Sequence, residues 1–169
     1  MKVAVLVEDQ YQVLEVWYPY LRLRESGIQT VMVGTGRKKE YGSKEGYPAP
    51  EEISIDNVKV SDYDGVVIPG GFAPDILRRH EKVNKFVKDM YEKGKIVASI
   101  CHGGWVLVSA GILKGATATS FSAIRDDLVN AGAKFVDKEV VVDRNLITSR
   151  NPYDLPAFCR EILNAFNSR

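Results

Sequence analysis

Cys101 and His102 are the residues of this 169-residue chain best equipped for covalent chemistry. They follow an apolar run, Ile96-Val97-Ala98-Ser99-Ile100, and precede Gly103-Gly104 and a second apolar stretch that begins at Trp105. That order predicts a strand breaking abruptly into a helix, a corner that lifts its side chain above a sheet and so mounts a nucleophile. The unpaired N–H groups and positive dipole end of the following helix would favour thiolate over thiol. An imidazole next in the chain can act as the general base. A second corner is expected at Gly70-Gly71, just after the apolar segment that ends at Ile68. Without side chains, its backbone can approach a ligand, so the N–H groups of Gly71 and His102 could together form an oxyanion hole. Gly70 and Gly103 are then expected to border the pocket.

The surrounding periodicity must supply the sheet that holds these corners. Residues 3–7 read as a buried strand, and Val13, Val16, Trp17, Tyr20 and Leu21 recur at helical spacing before a stop at Gly27. Pro19 lies inside that helix and is expected to bend it, freeing the carbonyl of Glu15. Residues 28–33 read as a second strand, and residues 34–57, rich in glycine, proline and charge, as a hairpin and connecting loop. Residues 64–68 form another buried strand, and Val83, Phe86, Val87, Met90 and Tyr91 an amphipathic helix. The helix after Cys101 is expected to run to about Leu113. A hairpin follows at residues 140–142 and 146–148, then a final helix with Leu155, Phe158, Ile162, Leu163 and Phe166 on one stripe. Alternating strand and helix periods predict an α/β domain with a parallel sheet covered on both faces. Ligands of such sheets bind beyond the carboxyl ends of the strands.

Composition narrows the function further. With 45% hydrophobic residues, the chain can bury one sizeable core, so residues 1–169 read as a single domain. The charge balance, 23 Lys plus Arg against 22 Asp plus Glu, offers no field for nucleic acid or an anionic membrane. The run Arg37-Lys38-Lys39 reads as a solvated loop. The N-terminus meets Glu8-Asp9 too early for a signal peptide, and no stretch approaches a membrane span, so a cytoplasmic location is expected. The two cysteines, Cys101 and Cys159, have neither a disulfide framework nor metal spacing, and Cys159 reads as a packed hydrophobe beside the last helix's stripe. No metal and no cofactor is expected. Glu8-Asp9 suggests a phospho-receiver domain, but the central strand ends in Ile68-Pro69-Gly70, where a phospho-accepting aspartate would be required. Gly34-Thr35-Gly36 is too short a fragment to indicate a dinucleotide loop.

Several segments together resemble the ThiJ/PfpI superfamily: Pro69-Gly70-Gly71, Ala98-Ser99-Ile100-Cys101-His102-Gly103, Ser109-Ala110-Gly111, and Asp126-Asp127 with Asn130-Ala131-Gly132. The similarity is closest to the PfpI-type intracellular protease branch and extends to Tyr18-Pro19-Tyr20 and Thr148-Ser149-Arg150. The resemblance implies a flavodoxin-like three-layer sandwich with a mostly parallel central sheet and a small hairpin, related to class I glutamine amidotransferases. It implies self-association into dimers and, in many members, hexamers. It further implies Cys101 as nucleophile, His102 as its partner, and an acid from a neighbouring subunit. After Ala73-Pro74 that acid is Asp75, where the branch usually has glutamate. The family's first-helix glutamate, which faces the thiol, is matched here to Gln12. An amide could still support a thiolate but cannot exchange a proton. Phe121 replaces a tyrosine of the branch and removes a hydroxyl near the pocket. Glu15 and Glu8 remain as substitute acids.

Three functions follow. The leading expectation is a cysteine-dependent peptidase acting through a Cys101 acyl-enzyme, because peptide hydrolysis needs chiefly thiolate, imidazole and oxyanion hole. A glyoxalase or deglycase acting on 2-oxoaldehydes or their adducts needs proton transfer at carbon, which Gln12 disfavours. A non-enzymatic, stress-protective redox thiol is the third. Peptides or small carbonyl compounds are the expected substrates.

Overall fold

The computed structural model describes residues 1–168. Its first half contains β1 (Lys2–Leu6), α1 (Val13–Glu25), β2 (Gln29–Gly34), β3 (Glu40–Gly42), β4 (Pro48–Pro50), β5 (Ile53–Ser54), β6 (Gly65–Ile68), α2 (Ala73–Leu77) and α3 (Glu81–Glu92). The second half contains β7 (Ile96–Ile100), α4 (Gly104–Ala110), β8 (Thr117–Ala118), α5 (Arg125–Asn130), β9 (Lys134–Phe135), β10 (Val140–Asp143), β11 (Leu146–Ser149) and α6 (Leu155–Asn167). Seven strands form one sheet in the order β10-β11-β7-β6-β1-β2-β5, parallel except for the β10–β11 hairpin. This is the α/β sandwich the alternating periods predict.

Strands β6 and β7 are buried along their whole length, and only Lys2 of β1 is not. Covered on both faces, they need continuous runs such as Gly65-Val66-Val67-Ile68 rather than alternation. The chain passes from β1 to β2 on one side and later returns as β6 on the other. The order therefore reverses at β1, and the crevice that opens at such a reversal lies at the carboxyl ends of β1 and β6, next to β7. The segment after β1, the Gly70-Gly71 corner after β6 and Cys101 after β7 converge there.

Helix α1 continues through Pro19, whose ring packs on the buried face with Val16, Tyr20 and Leu23. The helix after Cys101 is shorter than the sequence predicts. Residues 101–103 make one 3-10 turn, and α4 stops at Ala110 because Gly111 adopts a left-handed cap (φ +70°). The β3–β4 hairpin falls within the predicted loop. Four features were not anticipated: the edge strand β5, α2, α5 and the parallel pair β8–β9.

Gly103 shows why this corner needs small residues. A Cβ there would lie 2.5 Å from the carbonyl oxygen of Ile68, 2.8 Å from Ser99 Oγ and 3.0 Å from the carbonyl oxygen of Pro69. Two of these neighbours are main chain and cannot rotate away. Gly103→Ala is expected to cost about 1–3 kcal/mol, the scale of overpacking a filled site. Urea denaturation would measure it, and an unchanged midpoint would show that the β6 end yields freely.

Candidate active site

Cys101 has φ +60°, a left-handed conformation unusual for a residue with a side chain. The strained corner aims the thiol into the crevice, where Cys101 is 8% exposed. Its Sγ lies 3.3 Å from His102 Nδ1. The backbone N–H groups of Gly71 and His102, expected to form an oxyanion hole, lie near enough to this sulfur to favour its charged form. They are thus already aimed at an anion. Gly71 can face the site because it has φ +75°, with a Cβ position only 2.5 Å from Gln10 O and Gln12 N. Tyr11 bridges Gly71 on one side and Ser43 on the other, tying the β3–β4 hairpin to the oxyanion corner.

The carboxyl beside the thiol belongs to Glu15, and this corrects the assignment of that role to Gln12. Gln12 precedes α1 as its N-cap: its side-chain oxygen accepts from Glu15 N (3.0 Å), and its amide nitrogen is 3.4 Å from Glu45 Oε1. Glu15, one turn further on, shares the buried face with Val16, Pro19, Tyr20 and Leu23 and is fully buried. Its Oε2 accepts from Gly70 N at 2.7 Å, whereas Oε1 has no hydrogen bond among the described residues. Its Oε2 and the Cys101 Sγ flank the same spot, 2.5 and 3.0 Å from where a Cβ on Gly70 would lie, so carboxyl and thiol are neighbours. The signal for Glu15 was its place on the apolar stripe of α1, four residues before Pro19.

Burial raises the Glu15 carboxyl to about 7, although the Gly70 amide, Cys101 and the Lys44 charge oppose the shift. Burial first, then the Glu15 charge, push the Cys101 thiol up to about 12 against the pull of the His102 and Gly71 amides. Desolvation, and secondarily Lys44, hold the imidazole of His102 below its ordinary value. The sequence predicts a thiol poised as thiolate by its helix; the structure instead couples it to a carboxyl. Near neutrality the Glu15–Cys101 pair is giving up the first of its two protons, and above that it holds one proton between two acceptors, beside a neutral imidazole.

This coupling has a consequence for stability. Glu15 would titrate near 4.5 in the unfolded chain but keeps its proton to about 7 in the fold. Its contribution to stability is therefore full below the lower value and is lost as pH rises through the higher one. Glu15→Gln, which cannot titrate, should narrow the difference in melting temperature between about pH 5 and about pH 8. An unchanged difference would mean that Glu15 titrates normally.

His102 is held by aromatic rings. Phe121 stacks on the imidazole with centroids 4.9 Å apart, and Trp105 meets it edge-on at 5.1 Å. Trp105, which the sequence did not single out, is itself fixed by a hydrogen bond from Nε1 to Asp127 Oδ2. Within the chain no carboxylate among the described residues hydrogen-bonds the His102 ring. Asp75 lies on α2 and pairs with Arg79 of the same chain. The structure thus brings together Cys101, His102, Gly70, Gly71, Gly103 and Phe121, adds Glu15, and leaves Gln12 and Asp75 apart from them. Among the described residues no group of three or more His, Cys, Asp or Glu side chains could hold a metal ion, and no helix is long and apolar enough to cross a membrane. Both cysteines are free thiols.

Residues 1–165 match the profile of the DJ-1/PfpI family. The chain belongs to that family. Its relatives include a protein named Deglycase TK1284 from Thermococcus kodakarensis, 46% identical over 96% of this chain and 98% of that one. A protein named Deglycase PfpI from Pyrococcus furiosus is 42% identical with the same coverage. YraA of Bacillus subtilis, whose name carries a provisional cysteine-protease assignment, is 44% identical over 96% of both chains. Among solved structures, Schizosaccharomyces pombe DJ-1 superposes with a TM-score of 0.90 at 25% identity, covering 98% of this chain and 91% of its own. A two-domain DJ-1/ThiJ/PfpI-like and ferritin-like protein from Anabaena variabilis gives a TM-score of 0.97 at 40% identity, covering 99% of this chain and 50% of its own. DJ-1/PfpI membership agrees with the family resemblance drawn from the motifs around Cys101 and Gly70-Gly71.

Proposed function

We propose that this chain is a cysteine-dependent deglycase that removes 2-oxoaldehyde adducts from amines and thiols in the cytoplasm. The observation that carries this reading is the Glu15 carboxyl, buried against Cys101 and titrating near neutrality. The sequence argument for a peptidase over a deglycase rested on an amide at that position. A carboxyl there supplies the proton exchange that chemistry at carbon requires. The relatives named deglycases point the same way.

For a methylglyoxal hemiaminal, R–NH–CH(OH)–CO–CH3, the Cys101 thiolate attacks the carbon bearing nitrogen. The C–N bond breaks, and the amine leaves with a proton from His102 or Glu15. The resulting hemithioacetal loses its carbon-bound proton to one of the same bases, and the electron pair moves toward the adjacent carbonyl. The hydroxyl proton passes to the oxygen on the second carbon, and protonation at that carbon gives a lactoyl thioester on Cys101. The Gly71 and His102 amides can stabilise the oxyanion formed when water attacks this thioester. Lactate departs and the thiol is restored. One water is consumed, and no external oxidant or reductant is needed.

The imidazole still lacks an acid within its own chain, so the proposal includes Asp75 from a neighbouring copy. Leu14, Tyr18 and Leu21 form an exposed stripe on α1, and Phe72 beside α2 is also exposed, which supports self-association. Lactate and free amine should accumulate together when purified protein is given a methylglyoxal-treated amino acid; release of neither would remove the reading. Peptide hydrolysis is the second reading, supported by the Cys101-His102 pair and by YraA. Cleavage of aminomethylcoumarin peptides faster than adduct removal would favour it. A redox-sensing thiol is less supported, since selective oxidation needs an exposed thiol of low pKa, and Cys101 is buried and pushed up.

A further inference from the structure

A groove of about 620 Å³ is lined by Phe121, the ring that stacks on His102. Phe121 is the shared wall: its N–H bonds the carbonyl of Cys101 at 3.3 Å, and it is 37% exposed. The groove's other walls include Ser120, Arg125, Phe135, Asp137 and Arg150. Its two guanidinium groups are not equivalent. Arg150 is spent on structure, with Nε and Nη2 donating to Asp154 and Nη1 to Asp137. Arg125 lies over the Phe135 ring, 5.7 Å from its centroid, and has no carboxylate partner among the described residues. Asp137 is engaged by Arg150, which leaves Arg125 as the groove's uncompensated charge. A cation held over an aromatic face, with its donors free and apolar surface below, suits a carboxylate attached to a small organic body.

We propose that this groove is a subsite for the amine or thiol portion of the substrate and that Arg125 recognises a carboxylate on it. The substrate class is then an adducted free amino acid or the C-terminal residue of a peptide, rather than an internal residue of a protein. This proposal rests on the deglycase reading, with Phe121 separating the reacting carbon from the carboxylate.

The test compares methylglyoxal adducts of N-acetylcysteine and N-acetylcysteinamide, which differ only in carrying the carboxylate. The wild-type protein should prefer the acid by about tenfold or more in kcat/KM, chiefly through KM, the scale of one charge-assisted contact. Arg125→Gln should bring the acid-to-amide ratio close to one, and Arg125→Lys should restore part of it. Equal turnover of both adducts by the wild type would overturn the subsite and leave the deglycase reading standing. Failure to turn over either would remove that reading. In that case calorimetric binding of N-acetyl-S-methylcysteine against its amide decides the subsite alone: acid preference lost in Arg125→Gln supports it, and equal or absent binding overturns it.

Discussion

Cys101→Ala is expected to abolish adduct removal, with a loss on the order of 10⁶-fold, the scale of deleting a covalent nucleophile from groups that act as a unit. The size follows from the route: without sulfur there is no hemithioacetal, so His102 and Glu15 have no bound intermediate between which to move protons. The substitution should disturb the fold little. Alanine and cysteine meet the same backbone restriction at φ +60°, and only one buried atom is removed. An unchanged melting temperature would confirm that the loss is chemical. Residual turnover within tenfold of wild type would show that the reaction passes through another group.

The second large effect is at Glu15. Glu15→Gln keeps the shape and the acceptor for the Gly70 N–H but cannot carry a proton between carbon atoms. Turnover should fall by roughly 10²–10⁴-fold, the ordinary yield of general acid–base catalysis. Thiol alkylation provides a separate readout. In the wild type the Glu15–Cys101 pair loses its first proton around 7 and its second toward about 12, so iodoacetamide labelling should rise in two steps. The Gln variant should show one step, because only the sulfur titrates. A two-step profile persisting in the variant would assign the lower transition to another group, and unimpaired turnover would remove Glu15 from the reaction.

The parts of the site legible in the sequence were those set by adjacent residues. Cys101 and His102 are neighbours, and the strand break at Gly103-Gly104 fixes their corner whatever else packs around it. Gly70-Gly71 was legible for the same reason, as a turn at the end of a buried strand. Glu15 was not, because its role depends on where α1 starts and which face it buries. Gln12 and Glu15 are one turn apart and both polar. Only the extended backbone at Gln12 (ψ 122°), which makes it a cap, decides that Glu15 points inward. The two-residue strands β8 and β9 are too short for any period to register. Their β8–β9 pairing nevertheless carries the chain into the groove at Ser120 and Phe121 and back at Phe135. The altered state of the thiol was hidden in the same way: a helix end favours thiolate, but depth of burial and a carboxyl 86 positions earlier in the chain outweigh it here.

The most direct measurement is acid quenching of the wild-type protein within its first turnover of a methylglyoxal adduct, followed by peptide mass analysis. The account predicts a single lactoyl group on the peptide containing Cys101, which appears before lactate and decays as lactate forms. Lactate produced with no modification of Cys101 at any time, or with the lactoyl group on a different residue, would contradict it.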